Sequence, residues 1–232
     1  MIKLSYKHAV WVLILINHIL MLMGVYYIVI ESSYQWLIVM FIGILLSILG
    51  GDIGTHRYLA HRSFKTGPIR DSILKILSVK NCLGSPMTWA IIHRYHHINS
   101  DTSGDPHFPD GIKSWLTLWN PSSPWWDIKI SPRPKDCIDL LKDPLVGIIH
   151  KYYFYIIFLM FISLYLIDWK LLVFLISIPS VITFHGNNFL VNTICHKWGY
   201  RNFDINDNST NNTLVNYLTV GAGLHNNHHA NP

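Results

Sequence analysis

Four stretches of nearly continuous apolar residues, 9–30, 35–53, 152–167 and 171–190, punctuate the 232-residue chain. A helix needs about 20 apolar residues to cross the hydrocarbon core of a bilayer, so each stretch predicts a membrane-spanning helix. The connectors Glu31-Ser32-Ser33-Tyr34 and Asp168-Trp169-Lys170 are too short for more than a turn, which pairs the spans into two hairpins. The expected fold is therefore an all-α integral membrane protein, a single domain with four transmembrane helices. Segments 54–151 and 191–232 are expected to form a cap outside the lipid. Within the cap, 66–92 intersperses Ile69, Ile73, Ile76 and Leu77 with Arg70, Lys75 and Lys80. That pattern predicts an amphipathic helix on the membrane surface, leading into a helix that carries His93. Segment 98–150 holds seven of the eleven prolines and the pair Trp125-Trp126, and it reads as an ordered cover with tryptophans at the water interface.

Composition agrees with this. Half of the residues are hydrophobic and 13% are charged, about half the share of a soluble domain. The net charge of +5 is spread among apolar runs without a basic stripe, which argues against nucleic acid and for an anionic membrane face or an acidic substrate head. Of the 18 Lys and Arg residues only Lys170 falls in a short connector. The positive-inside rule then puts both termini and the cap in the cytoplasm, where the sequons at Asn208 and Asn211 carry no glycan. Lys3 and Lys7 before an apolar run resemble a signal peptide, but the run continues to Ile30 without a small-residue cleavage site and reads as a first span. Cys82, Cys137 and Cys195 form no CxxC pair, so neither a disulfide framework nor a thiolate zinc site is written here.

Nine of the fourteen histidines gather in the polar segments, as His56-x4-His61, His93-x2-His96-His97, His196 four residues after Asn192, and His225-x2-His228-His229. Nine imidazoles are too many for one ion of four to six ligands, so two metals fit better than one. On a helix each triplet lines one stripe and can reach both ions. His56 and His61, five apart, stand about 140° apart on a regular helix and reach either side of a cluster, unless the helix distorts beside Gly50, Gly51 and Gly54. Asn192 and His196 share a face; the amide, a weak ligand, is expected to hold a metal-bound water. His8, His18, His107 and His150 read as structural. His185, about 20° from His196 on the same wheel, reads as a packed histidine. A donor set of nitrogens without paired carboxylates suits iron better than calcium, magnesium or structural zinc, and no H-E-x-x-H points to hydrolysis. Two irons activating O2 supply an attack on an unactivated C–H bond that side chains cannot make.

Gly54-Thr-His-Arg-Tyr-Leu-Ala-His61, Trp89-Ala-Ile-Ile-His-Arg-Tyr-His-His97 with Asp101-Thr-x-x-Asp-Pro-His107, Asn192-Thr-Ile-Cys-His196 and Gly223-x-His-Asn-Asn-His-His229 together resemble the histidine boxes of the membrane fatty acyl desaturases, specifically the acyl-CoA Δ9 (stearoyl-CoA) type. The resemblance runs from about Ile44 to the end of the chain. It implies O2-dependent desaturation of a fatty acyl thioester, near C9, at a di-iron centre. His56, His61, His93, His97 and His228 would bind one iron. His96, His196, His225 and His229 would bind the other, with Asn192 holding a water. Trp89 would line the bend of an acyl tunnel, and Arg94 would meet the carrier's phosphates or hydrogen-bond near the ligands. Two departures fall along that tunnel: Leu83 stands where a Gln is frequent, and Asn188 and Phe189 replace a Thr and a Trp. Relatives continue beyond the third box, so the chain reads as lacking a C-terminal part of the family domain. Electrons would come from a ferredoxin or cytochrome b5, because the chain has no haem-binding His-Pro-Gly-Gly and no nucleotide-binding glycine motif. The setting would be a bacterial inner membrane or the endoplasmic reticulum. The rival readings are a membrane di-iron hydroxylase and a non-enzymatic histidine-rich metal-binding protein.

Overall fold

Long runs of Leu, Ile, Val and Phe leave helix as the structure that satisfies every backbone polar group without water, and helices are what the chain forms. A computed structural model describes residues 6–107 and 134–232. Much of the proline-rich segment expected to cover the site, Trp125 and Trp126 included, lies outside the described residues. Among those described there is no β-strand, only isolated bridges pairing Asn211 with Tyr200 and with Leu224.

Among the described residues, three helical runs are long and apolar enough to cross a membrane: Tyr6–Glu31, Trp36–Ala60 and Pro144–His196. The first two match the expected spans at 9–30 and 35–53. The third, 53 residues long, contains both remaining apolar stretches, where two separate spans were expected. Its backbone departs from helical geometry at Asp168 (φ −163°, ψ 118°), in the expected connector. Residues on either side of that break, Ile149, Tyr153 and Ile157 before it and Leu172 and Ile176 after it, share one buried cluster with Leu13 and Val79. Leu22, Val29, Phe158, Leu166 and Ile167 stay largely exposed, a display of large apolar side chains that belongs against lipid.

The chain divides into two compact units, Met1–Ile91 with Pro134–Thr183, and Ile92–Arg133 with Phe184–Pro232. In the first unit, α1 (Tyr6–Glu31) and α2 (Trp36–Ser47) are joined by a short turn. From Ile48 to Ala60 the second run continues as a π-helix. Then come α3 (Pro68–Leu77), a 3₁₀ turn (Ser78–Asn81) and the start of α4 (Pro86–Asn99). The single amphipathic helix expected near 66–92 is thus interrupted. Cys82 takes the left-handed conformation (φ 57°), and Ser85 restarts the helix by accepting from the Thr88 amide. On α3, Ile69, Ile73 and Ile76 face outward whereas Lys75 is buried, bonded to Asp71 and Asp143. Asp143 also caps α6 (Pro144–Leu171), accepting from the Val146 amide at 2.9 Å, with Pro144 at the first helical position. Preceding it is α5 (Pro134–Lys142).

Beyond Asp168 the run changes type repeatedly: a π turn (Leu172–Ser177), α7 (Ile178–His185), a second π turn (Gly186–Val191) and a 3₁₀ turn (Ile194–His196). Two short helices, α8 (Thr213–Leu218) and α9 (His225–Ala230), complete the second unit. Gly223 packs so tightly on α8 that an added Cβ would lie 2.1 Å from the Asn216 nitrogen.

Candidate metal centre

Three elements of the second unit bring histidines together. The last turns of α4 carry His93, His96 and His97, the 3₁₀ turn ends in His196, and α9 carries His225, His228 and His229. Nitrogens of His96, His196, His225 and His229 all lie within 4.8 Å of one another. Their Nε2 atoms face inward, His196 to His225 at 2.9 Å and His96 to His229 at 3.3 Å. A second convergence lies beside it: His97 Nε2 stands 3.1 Å from that of His93 and 3.0 Å from that of His228.

The outward nitrogens are held by carboxylates. His96 Nδ1 donates to Asp105 and His229 Nδ1 to Asp207, each at 2.7 Å, and His196 Nδ1 donates to Asp101 at 3.1 Å. An ionised carboxylate only accepts, so it fixes the proton on Nδ1 and leaves the lone pair on Nε2. Two lone pairs facing each other at 3.3 Å, as in His96 and His229, repel unless a cation lies between them. Imidazole nitrogens at about 2.0–2.1 Å from a transition metal sit roughly 3 Å apart at neighbouring corners of its coordination shell. The observed spacing fits that arrangement.

Protonation follows from burial. Burial holds His96 and His225 well below the ordinary imidazole value of 6.5 and keeps them neutral. His229 is lowered in the same way, although Asp207 opposes the shift. Burial pushes Asp105 up to about 6, against amides of His107 and Asp101 that hold its charge. Asp207 stays well below the usual carboxylate range despite burial, because His229 and Ser209 donate to it.

In the first unit, the π-helix sets the geometry of His56 and His61. The His61 amide donates to the His56 carbonyl, an i→i+5 bond of 3.1 Å, and the two rings lie 4.9 Å apart. Such bonds close a turn of between four and five residues, so residues five apart share a face. The 140° separation of a regular helix does not apply; the distortion beside the glycines does. His56 Nδ1 is held by Asp52 at 3.0 Å, and Asp52 also pairs with Arg57.

The regular wheel fails for Asn192 as well. Its amide donates to the Asn187 carbonyl in a π pattern and His196 follows on a 3₁₀ turn, so neither the shared face with His196 nor the 20° offset of His185 carries over. Asn192 is half-buried. Trp89 packs beside Leu59 and Ala60, 5.9 Å from the His56 ring. Arg94 and Phe189 are half-buried, and the Asn188 amide donates back to the Phe184 carbonyl at 2.9 Å. Cys195 is buried among Val191 and Val215, where burial pushes its thiol up to about 12, so it remains a packed thiol. His18 bonds the Ile14 carbonyl and His150 the Ser85 hydroxyl. His107 is half-buried, its ring 4.9 Å from that of His96.

Sequence reasoning missed the carboxylates. Asp101 and Asp105 were visible only as a turn after the second box, and Asp52 and Asp207 not at all. The signal was available: each metal-binding imidazole needs an acceptor for its second nitrogen, and the chain has only 13 acidic residues. It also missed Asn226, whose Oδ1 accepts from the Asn202 and Phe203 amides, both at 2.8 Å, and whose Nδ2 donates to the Phe203 carbonyl. That buried amide fixes α9 against the loop bearing Asp207.

The sequence profile of the fatty acid desaturase family matches residues 32–232. The chain belongs to this family. The family and most of the relatives the chain matches are named as desaturases, which are oxidoreductases. An sn-1 stearoyl-lipid 9-desaturase of Anabaena variabilis is 36% identical over 218 residues, 89% of this chain and 76% of that protein. An acyl-CoA C20 Δ5-desaturase of Anemone leveillei is 34% identical over 185 residues, 79% of this chain and 59% of the relative. A hex-5-enoyl-[acyl-carrier protein] acetylenase of Moorena producens (strain JHB) is 32% identical over 216 residues, 79% of this chain and 63% of the relative. The chain thus spans about three fifths of the last two proteins.

Proposed function

We propose that the chain, or the longer protein of which it forms part, introduces a double bond into a saturated fatty acyl chain with O2 as co-substrate. The observation that carries this is the nest of His96, His196, His225 and His229, four inward Nε2 atoms with three of the outward nitrogens held by carboxylates. These four would hold one iron, with Asn192 bound to it through water. His56, His61, His93, His97 and His228 would hold a second. Two irons, when bound, supply O2 activation and removal of two vicinal hydrogens. The balance is one alkene and two waters from the saturated chain, O2, two electrons and two protons.

The remaining work belongs to the chain itself. Asp52, Asp101, Asp105 and Asp207 keep the rings of His56, His196, His96 and His229 in one tautomer and orientation. Trp89, beside His56, would form part of the wall that holds a single methylene pair in place, so that geometry selects the bond, and Asn188 and Phe189 are our further candidates for contact with the acyl chain. Arg94 would meet the anionic end of the substrate. An acyl-CoA substrate and a position near C9 are our reading. The 36% identity to a 9-desaturase supports the position, while the named relatives are a stearoyl-lipid, an acyl-CoA and an acyl-carrier-protein enzyme.

The electron donor would be a ferredoxin or a cytochrome b5. The backbone break at Asp168, with packing of the residues on its two sides, supports four crossings of the membrane. The distribution of Lys and Arg supports both termini and the histidines on the cytoplasmic face.

Expression in a desaturase-deficient host, with fatty acids profiled by mass spectrometry, tests the reading. Species two hydrogens lighter, absent with His225→Ala, are expected. A gain of one oxygen would replace desaturation with hydroxylation, and an unchanged profile with iron-loaded protein would refute both.

A further inference from the structure

A 13-residue π-helix, Ile48–Ala60, is unusual, because π geometry normally occurs as single-turn bulges within α-helices. Something must hold this one open. Its first turn is met from the side by the 3₁₀ turn Ser78–Asn81. Lys80 Nζ donates to the Gly43 carbonyl and the Ser47 hydroxyl, both at 2.8 Å, and Asn81 Nδ2 donates to the Ser47 carbonyl at 3.2 Å. Ser47 is the last residue before the π-helix.

The approach is possible only because the facing positions are glycines. A Cβ on Gly51 would lie 2.2 Å from the Asn81 amide nitrogen, and a Cβ on Gly50 would lie 2.2 Å from the Leu77 carbonyl oxygen. A side-chain donor inserted at a helix carbonyl competes with the i→i+4 ladder and is a recognised cause of helix distortion. Lys80 is also a costly residue where it stands. It is 5% exposed and its described partners are neutral oxygens, although burial lowers its pKa only to about 8, leaving it mostly charged at neutral pH. A buried ammonium that serves only packing is better replaced by an apolar side chain.

We propose that Lys80 and Asn81 are positioning residues: they clamp Gly43 and Ser47, hold the following segment in π register, and thereby turn His56 and His61 onto one face. Restored to α register, the same two histidines would point about 140° apart. The clamp stands on geometry alone; its consequence for metal binding rests on the proposed role of His56 and His61.

The test therefore separates the two. In a His56→Cys/His61→Cys background, a short bifunctional thiol reagent is expected to bridge the pair in the purified membrane protein, since the rings they replace lie 4.9 Å apart. Bridging should fall at least tenfold with Lys80→Met, with Asn81→Leu and with Gly51→Ala, whose Cβ displaces the Asn81 amide, and should persist with Lys80→Arg. Gly51→Ala is the mildest change and keeps the test decisive if Lys80→Met does not fold. Undiminished bridging in Asn81→Leu and Gly51→Ala would overturn the clamp, whatever the protein's metal content. In the native-histidine background the same variants should lose one of two irons; retention of both would overturn the consequence drawn for the site. A parent without iron would instead overturn the proposed function and leave the bridging result standing.

Discussion

Asp207 carries as much of the site as any histidine. Its carboxylate fixes His229 Nδ1 at 2.7 Å and accepts from Ser209, so Asp207→Asn lets the ring adopt the wrong tautomer without changing its size. Iron affinity, read by competition with a chelator, is expected to fall about 10–100-fold. Acid should act in the same place. His96 and His225 are held neutral below the ordinary value of 6.5, so the unfolded chain binds their protons first. The metal-free protein should lose stability as the pH falls below about 6.5 and show no dependence from these groups above it. Asp101 and Asp207, held low by their histidine partners despite burial, add loss in the same direction at lower pH. Asp105, raised to about 6, works the other way between its ordinary 3.8 and that value. Melting of the iron-free protein across pH 5 to 8, conditions chosen around those values, checks the sign.

At the scale of elements, hydrophobic run length read out the long apolar helices, and i, i+3, i+4 spacing read out the triplets His93, His96, His97 and His225, His228, His229. Both are properties of regular α-helices. The departures came where the helix is not regular: the π-helix before His61 and the π and 3₁₀ turns around Asn192. Before His61 the glycines hinted at a distortion, but its π register was not legible, because the contacts that impose it come from Leu77, Lys80 and Asn81, more than twenty residues from the glycines. Asp101 and Asp207 were hidden for the same reason, since their partners His196 and His229 lie far along the chain or on another element. Tertiary approach at a glycine is equally exacting in the second unit. Gly223→Ala puts a Cβ 2.1 Å from the Asn216 backbone nitrogen, just before α9. A loss of about 1–3 kcal/mol is expected, visible as a lower Tm in detergent and as weaker iron retention, since His225 follows two residues later.

For the whole molecule, the length of the third apolar run is what motivates the proposed four-crossing topology. Its 53 residues would extend about 80 Å as one straight helix, far more than the roughly 30 Å of hydrocarbon. A reversal at Asp168, as proposed above, would give four crossings and put both hairpin turns on one side. A membrane-impermeant maleimide should then label Ser33→Cys and Asn208→Cys from opposite faces, with Asn208→Cys reached from the cytoplasm; labelling of both from one face would contradict that topology. The central claim concerns the imidazoles, and iron content tests it most directly. Purified in the presence of ferrous iron and freed of loosely bound metal, the chain is expected to retain two irons, and His225→Ala fewer. Retention of one iron or none by a folded chain, or an unaltered count in His225→Ala, would contradict it.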